Sequence, residues 1–189
     1  MKQDVIELGA TYHIFNRGNN KENIFIEDKN YIYFLQLLKK HILPIADIYA
    51  YCLLKNHFHV LLRIKDENDI SQKYIERPHQ AFSNMFNSYT KAINKAYCRS
   101  GSLFQEHLKR KRIKDEKHLI QVFAYIHLNP VKHGFTEDYK GYPHSSYKAF
   151  VTNKNSNIDR DTIFDLIDKD SFEYWHHQRV MGLEDIMDL

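Results

Sequence analysis

Two apolar runs of strand length, residues 45–54 and 57–64, are separated by only two polar residues, Lys55 and Asn56. β-branched and aromatic residues, which favour strands, occur in both runs. A two-residue connection between two such runs is typical of a β-hairpin. Any fold of this chain is therefore expected to be built around an antiparallel pair of strands.

The second strand of this hairpin carries two histidines that share one side. His57 and His59 are separated by one residue, and side chains alternate between the two faces of a strand. Phe58, Val60 and Leu62 then point to the opposite, core-facing side. Two imidazoles held together on a rigid strand can bind a metal ion, although an ordinary polar surface explains the pair equally well.

A further pair of polar residues lies in an apolar segment farther along the chain. The helical repeat places Tyr125 and Asn129 one turn apart on a single face. The apolar stripe of this segment consists of Leu119, Val122, Phe123 and Ile126. Tyr125 lies roughly 110° from the centre of that stripe, which makes it a poor candidate for core packing. Two local alternatives stay open: a helix tyrosine with its hydroxyl in water, and Asn129 as a C-terminal cap before Pro130.

The periodicity predicts seven elements in the order β-α-β-β-α-β-α. They are a strand at 11–16, a helix from Asp28 to Pro44, strands at 45–54 and 57–64, a helix over 70–97 interrupted by Pro78, a strand at 103–113 and a helix over 115–129 that Pro130 ends. This order is the split β-α-β pattern of α+β proteins with a ferredoxin-like or RRM-like antiparallel sheet and helices packed on one face. The other face is expected to be open for a ligand.

The chain changes character after Phe135. Turn-like residues follow at 142–146 and a linker-like stretch at 153–157, and short helices are predicted at 161–167 and 171–180. We therefore predict a main domain of residues 1–135 and a small C-terminal helical accessory extension of residues 136–189.

Charge is distributed unevenly along the chain, whose formal net charge is +3. Residues 159–189 contain nine acidic and three basic side chains, a balance of −6 that leaves +9 on residues 1–158. The main domain is thus the basic part, which suits a nucleic-acid partner. The chain has only two cysteines, which favours a reducing compartment. It has no signal-type apolar core at the start, and no segment approaches the ~20 apolar residues of a membrane span. We therefore expect a cytoplasmic protein with no membrane partner.

Five short motifs occur in order: YHIFNRGN at 12–19, YCLLKNHFH at 51–59, GSLFQ at 101–105, YIHLNPVKHG at 125–134 and YPHSSY at 142–147. Together they resemble the HUH-type single-tyrosine transposases of bacterial insertion sequences, the IS200-like transposases. The last motif makes the chain look closer to the branch associated with repetitive extragenic palindromes (REPs) than to the shortest insertion-sequence transposases.

The resemblance implies roles for four residues. His57 and His59 match the paired metal ligands of that family, Asn129 the third ligand and Tyr125 the nucleophile, although some members have glutamine in place of Asn129. The implied metal is Mg²⁺ or Mn²⁺, and zinc also fits on ligand type alone. Attack by Tyr125 would give a 5′-phosphotyrosine intermediate, so no nucleotide cofactor is expected.

Several basic residues are candidates for DNA binding. Five positive side chains lie within residues 107–114, namely Lys109, Arg110, Lys111, Arg112 and Lys114. Such a run suits phosphate contacts, and a solvated edge strand protected by its charges is the alternative. Arg17 and Asn19 in the first loop are further candidates.

These observations predict a metal-dependent endonuclease and strand transferase of the transposase type. It would act on single-stranded or hairpin DNA of a prokaryotic nucleoid, as a monomer or a homodimer. The alternative is a domesticated, catalytically inactive protein that still binds single-stranded nucleic acid. A metallonuclease that uses activated water instead of Tyr125 is a third hypothesis.

Overall fold

The computed structural model describes residues 5–152 and 154–180 of the chain. Its strands are β1 (Thr11–Arg17), β2 (Ala46–Leu54), β3 (His57–Ile64) and β4 (Lys109–Arg112). Its helices are α1 (Asp28–Leu37), α2 (Gln72–Ile75), α3 (His79–Ala96), α4 (Glu116–Lys132), α5 (Tyr147–Val151), α6 (Asp161–Leu166) and α7 (Phe172–Val180). Within the described ranges, no helix combines the length and the apolar character needed to cross a membrane.

The four strands form one sheet in the order β2-β3-β1-β4, and every neighbouring pair is antiparallel. Lys55 and Asn56 form the two-residue turn between β2 and β3, as the hairpin pattern predicts. The predicted order of elements and the α+β, ferredoxin-like class are confirmed.

Helices lie on both faces of the sheet, which corrects the expectation of one open face. Helices α1 and α3 cover the face of Phe58, whose ring packs against Phe34 and Phe86. Helix α4 packs on the opposite face, against β2 and β3. Residues 122–130 of α4 are all buried, because the sheet covers one side of this helix and the C-terminal extension covers the other.

Helix α4 continues beyond Pro130, where the sequence prediction ended it. The helix reaches Lys132, and proline at 130 removes only one N–H donor from its last turns. The N–H of His133 donates to the carbonyl of Asn129, and Gly134 then adopts a left-handed φ of +67° that ends the helix. Asn129 consequently lies inside the helix and is not its cap.

Two other boundaries differ from the sequence prediction. Strand β4 covers only Lys109–Arg112 rather than 103–113, because His107 takes a left-handed φ of +63° that interrupts the extended chain. Helix α1 begins at Asp28 as predicted but ends at Leu37 instead of Pro44, and the chain then continues as a π-helical turn over Leu38–Ile42. The side chain of Asn30 accepts the N–H of Glu27, the residue that caps α1, at 2.9 Å.

The C-terminal extension packs against the outer edge of the sheet. The N–H of Ser146 donates to the carbonyl of Tyr51, and the N–H of Leu53 donates to the carbonyl of His144, each at 2.9 Å. These bonds cover part of the free edge of β2. The buried core continues from the sheet into α5 and α7, and the domain boundary at residue 135 stays a prediction.

A chain of buried hydrogen bonds joins α7 to α4 and β2. The Nδ1–H of His176 donates to the Phe172 carbonyl at 2.8 Å. Since a carbonyl can only accept, neutral His176 carries its proton on Nδ1, and its Nε2 is an acceptor. His127 Nδ1–H therefore donates to His176 Nε2 at 2.9 Å, and the Ser146 hydroxyl donates to His127 Nε2 at 2.8 Å. The N–H of Tyr51 donates to the same Ser146 oxygen. Every ring nitrogen of the two buried histidines is thereby paired in the neutral form.

Replacing Ser146 by alanine is expected to lower the free energy of unfolding by about 1–3 kcal/mol, because buried His127 Nε2 and the Tyr51 N–H each lose a partner. Urea unfolding followed by circular dichroism measures this change. Ser83→Ala is the matched control, since Ser83 is exposed and bonds only to its own helix, and we expect a change within about 0.5 kcal/mol. Equal effects of the two substitutions would contradict the role of the buried chain.

Candidate active site

Strand pairing fixes the position of the two histidines on β3. His59 lies opposite Phe15 of β1, and His57 lies opposite Arg17. The ring centroids of His57 and His59 are 5.3 Å apart, and the ring planes are nearly perpendicular. His59 is buried, whereas His57 is partly exposed. Both imidazoles thus project toward the face that α4 covers.

Helix α4 brings Tyr125 to these histidines. The Tyr125 ring centroid lies 5.8 Å from that of His59 and 6.1 Å from that of His13, edge-on in both cases. Only 2% of Tyr125 is exposed, and its ring belongs to the buried core, so the prediction that it is a poor candidate for core packing was wrong. The water-facing helix tyrosine that the sequence left as an alternative is excluded as well. Two turns later on the same helix, Lys132 Nζ lies 4.7 Å from the centre of the Tyr125 ring.

Five buried polar atoms at this site lack a hydrogen-bond partner among the described residues. Two of them are His13 Nδ1 and Arg17 Nε, and the other three belong to the predicted metal ligands: His57 Nε2, His59 Nε2 and Asn129 Oδ1. Another atom of each side chain is bonded, His57 Nδ1 to Asn56 Oδ1 at 2.7 Å, His59 Nδ1 to His13 Nε2 at 2.9 Å, and Asn129 Nδ2 to the Tyr125 carbonyl at 2.9 Å. Buried polar atoms rarely lack a partner in folded proteins. Two imidazole nitrogens and an amide oxygen form a donor set that suits a divalent cation, so these residues fit the implied metal.

The third predicted donor of such a site is the amide of Asn129. In the described ranges, no group of three or more histidine, cysteine, aspartate or glutamate side chains is arranged to hold a metal ion. Asn129 is fully buried one turn after Tyr125, and it does not line the open cleft beside the two histidines.

That cleft has a volume of about 530 Å³. Tyr125, His57 and His59 line it together with three cationic side chains, Arg17, Lys109 and Lys132. The rings of Phe15 and Phe135 form part of its wall. A basic cleft with aromatic walls can hold a phosphate and an adjacent unpaired base.

Burial determines the protonation state of the site. Desolvation lowers the pKa of His13 and of His57 to about 3 and lowers the pKa of His59 well below its ordinary value. All three imidazoles are therefore neutral at pH 7, the form that binds metals. Burial also raises the pKa of the Tyr125 phenol, and a hydrogen bond from Asn129 opposes this rise. The phenol is protonated at pH 7 and must lose its proton before it can act as a nucleophile.

The sequence did not identify three residues of this site. His13 bonds to His59, Lys132 lies over the Tyr125 ring, and the ring of His133 packs edge-on to His57 with centroids 4.6 Å apart. The helical spacing from Tyr125 to Lys132 is a signal that could have indicated the lysine. No local signal indicates His13, because its contact depends on how β1 pairs with β3.

The predicted DNA-binding residues lie on more than one surface. Lys109 and Lys111 alternate with Arg110 and Arg112 along β4, so the lysines and the arginines point to opposite faces. The lysines share the face of the catalytic candidates, and Lys109 lines the cleft together with Arg17.

The remaining predicted contacts lie elsewhere. Arg112 forms an ion pair with Glu7, and Arg110 lines a second cleft, of about 610 Å³, beside α3. Asn19 is exposed in the turn after β1, and Lys114 is exposed just before α4. The structure therefore brings Arg17, Lys109 and Lys111 to the Tyr125 side and leaves the other four residues apart from it.

Three comparisons with known proteins each find similar proteins. The family model described as "Transposase IS200 like" matches residues 8–129. A protein of Haemophilus influenzae named as a REP-associated tyrosine transposase is 33% identical over 108 residues, and the match covers 54% of this chain and 59% of that protein. A solved structure of a REP-associated tyrosine transposase bound to a REP hairpin has a TM-score of 0.62 at 15% identity, covering 84% of this chain and 93% of that chain. At that identity the structural similarity concerns the fold.

Proposed function

This chain belongs to the family of IS200-like transposases, and from this membership we propose that it cuts and rejoins hairpin-containing single-stranded DNA through a covalent link to Tyr125. The observation that carries the proposal is the position of Tyr125, whose ring lies 5.8 Å from that of His59 beside an open basic cleft. The solved structure of similar fold holds a REP hairpin, and we extend that class of substrate to this chain.

In the cleavage step the phenolic oxygen of Tyr125 attacks the phosphorus of the scissile phosphodiester. The bond between Tyr125 Oη and phosphorus forms while the bond from phosphorus to the 3′ oxygen breaks. The phenol loses one proton and the 3′ oxygen gains one, which gives a 5′-phosphotyrosine and a free 3′-hydroxyl. Because the phosphotyrosine conserves the energy of the broken bond, a 3′-hydroxyl can rejoin the strand without nucleotide hydrolysis.

We also propose that Mg²⁺ or Mn²⁺ is held by His57 Nε2, His59 Nε2 and Asn129 Oδ1, each of which is a buried atom without a hydrogen-bond partner among the described residues. Bound there, the metal would supply a Lewis acid that polarises the scissile phosphate. The protein itself contributes fixed positive charge, because cationic side chains line the cleft and favour the charge that develops on the phosphate oxygens.

One chain contains every residue of this proposed site. Tyr125 and His59 are neighbours within the same chain, which supports a monomer that cleaves DNA in cis. The same proposal places the action of the protein on nucleoid DNA in the cytoplasm.

The test is formation of a covalent protein–DNA adduct. Hairpin oligonucleotides with single-stranded flanks, taken from the DNA next to this gene, are incubated with the protein in Mg²⁺, Mn²⁺ or EDTA and separated on a denaturing gel. We expect a slowly migrating band that contains both protein and DNA and requires the metal. Binding of the same oligonucleotides without an adduct in any of these conditions would contradict the proposal and favour a non-catalytic binder.

Removing the two lysines of β4, which lie on the same face of the sheet as the cleft, is expected to weaken DNA binding in a salt-dependent way. Each lysine that neutralises a phosphate on a single strand contributes about 0.7 to the slope of log affinity against log salt. In the Lys109→Ala, Lys111→Ala double variant, the slope of log affinity against log salt should therefore be smaller in magnitude by about 1.4. Fluorescence anisotropy between roughly 50 and 300 mM salt measures the slope.

The matched control for this prediction is Lys148→Ala. Lys148 is an exposed lysine on α5, beside β2 at the edge of the sheet opposite β4. Its removal should leave both the affinity and the salt slope unchanged. A double variant with the same slope as the wild type would show that β4 does not contact phosphates on this face.

A further inference from the structure

The three proposed metal-binding side chains differ in how firmly the structure fixes their protons. His57 Nδ1–H donates to Asn56 Oδ1, and Asn129 Nδ2 donates to the Tyr125 carbonyl. Both acceptors are oxygen atoms that can only accept in these bonds. His57 is therefore held in the tautomer with a bare Nε2, and the amide of Asn129 is turned with its oxygen free.

His59 is different, because its partner is another imidazole. His59 Nδ1 lies 2.9 Å from His13 Nε2, and either nitrogen can carry the shared proton. If His13 donates, His59 carries its own proton on Nε2 and has no lone pair there for a metal. If His59 donates, its Nε2 is bare and can bind a metal. The hydrogen bond to His13 thus decides whether His59 can be a ligand.

We propose that His13 is the positioning residue of this site: it accepts the Nδ1–H of His59 and so holds His59 in the ligating tautomer. This inference rests on the metal site given under Proposed function. His13 and His59 are 1% and 4% exposed, so bulk water does not compete for the shared proton. The His13 ring is itself held in place, since it stacks on Phe15 with centroids 4.8 Å apart and meets the edge of Tyr125.

The proton balance of the two tautomeric states follows from the atoms left unpaired. His13 Nδ1 and His59 Nε2 both lack a hydrogen-bond partner among the described residues. When His59 takes the ligating form, its Nε2 loses a proton, His13 Nε2 passes a proton to His59 Nδ1, and His13 Nδ1 gains one. No net proton is taken up, and both rings remain neutral. A cation at His59 Nε2 favours this state over the other.

Residues that orient metal-bound histidines are worth about 10–100-fold in metal affinity. His13→Leu removes the acceptor but keeps an apolar side chain in the buried position, so we expect Mn²⁺ affinity to fall by about that factor. His13→Gln carries an amide that reaches about as far as Nε2 and can accept the same proton. This variant should recover a large part of the lost affinity.

The experiment measures Mn²⁺ binding to the full chain without DNA, from the electron paramagnetic resonance signal of free Mn²⁺. His118→Leu is the control, because His118 is another partly buried histidine and bonds to the Lys114 N–H rather than to His57, His59 or Asn129. Thermal unfolding of each variant confirms that it is folded. Nitrogen-15 NMR of the imidazoles in Mg²⁺ reports the His59 tautomer directly, and we expect Nδ1–H with a bare Nε2 in the wild type.

The possible outcomes separate this inference from the proposed metal site. A wild type that binds no Mn²⁺ overturns the metal site and the role of His13 together. A wild type that binds Mn²⁺ and a folded His13→Leu variant that binds it equally well overturn only the role of His13. The role of His13 is also overturned if His118→Leu loses as much Mn²⁺ affinity as His13→Leu. A proton on His59 Nε2 in the metal-bound wild type overturns it in the same way.

Discussion

Replacing Tyr125 by phenylalanine is expected to abolish the covalent adduct with hairpin DNA. The substitution removes only the nucleophilic oxygen. The ring that packs against His13 and His59, and over which Lys132 lies, is retained. Without Tyr125 Oη no bond to phosphorus can form, so neither the phosphotyrosine nor the free 3′-hydroxyl appears. A denaturing gel with labelled DNA measures both products.

Two further measurements make this result specific. The affinity for hairpin DNA should match that of the wild type, since the basic wall of the cleft is unchanged. The free energy of unfolding should fall by about 1 kcal/mol at most, because the buried phenol loses one hydrogen bond, with Asn129, and keeps its ring packing. Tyr33→Phe is the control, because Tyr33 lies on α1, on the opposite face of the sheet, and its removal should leave the adduct intact. A stable adduct from Tyr125→Phe would contradict the assignment of the nucleophile.

The same variant separates two chemical routes. A hydrolytic metallonuclease would use activated water, and its cleavage would survive the loss of the phenol. Cleaved DNA without an adduct in the phenylalanine variant would therefore favour hydrolysis. Loss of both cleavage and adduct, with DNA binding intact, is the result that we expect.

Acid is expected to unfold this protein at a pH only about two units below the ordinary pKa of histidine. Burial lowers the pKa of His13 and His57 to about 3 and that of His176 to about 4, and lowers the pKa of His59 and His127 well below 6.5. Above pH 6.5 neither the folded nor the unfolded state binds these protons. Below it the unfolded chain binds protons that the folded protein cannot, so the free energy of unfolding falls as the pH falls.

The size of the effect follows from the number of groups. Each such histidine removes about 1.4 kcal/mol per pH unit once the pH is well below 6.5. A typical domain has a stability of about 5–15 kcal/mol, and several of these histidines together exhaust it between about pH 6 and pH 4. Urea unfolding in EDTA at a series of pH values from about 7.5 down to 5 measures the slope.

A single substitution provides the control for the acid prediction. His176→Gln removes one titrating group and keeps an amide oxygen that can accept the Nδ1–H of His127. Its free energy of unfolding should fall less steeply, by about 1.4 kcal/mol per pH unit. A free energy that stays constant between about pH 7 and pH 5 in the wild type would contradict the prediction.

Local periodicity was sufficient for several features of the site. The alternation along β3 correctly predicted that His57 and His59 share a face opposite Phe58, because the side-chain direction in a strand depends only on its neighbours. The spacing within α4 correctly placed Tyr125 and Asn129 one turn apart. The order of strands and helices also followed from the pattern, and with it the α+β sheet.

Features that depend on distant contacts were wrong or absent in the sequence prediction. The open face of the sheet is covered by α4, and α4 runs through Pro130 because the sheet and the extension pack on both of its sides. The long basic strand is cut short at His107, whose left-handed φ depends on a loop that the Asn16 side chain holds at 105–107.

The sequence by itself determined how the candidate residues are spaced within each element and which of them share a face, because side-chain direction repeats every two residues in a strand and every 3.6 in a helix. The tertiary structure alone decided that Tyr125 lies beside His59, that His13 bonds to His59, and that the lysines of β4, rather than its arginines, lie on the face of the cleft. Those contacts depend on strand register and helix packing between residues far apart in the chain, where a shift of one residue would turn each side chain to the other face.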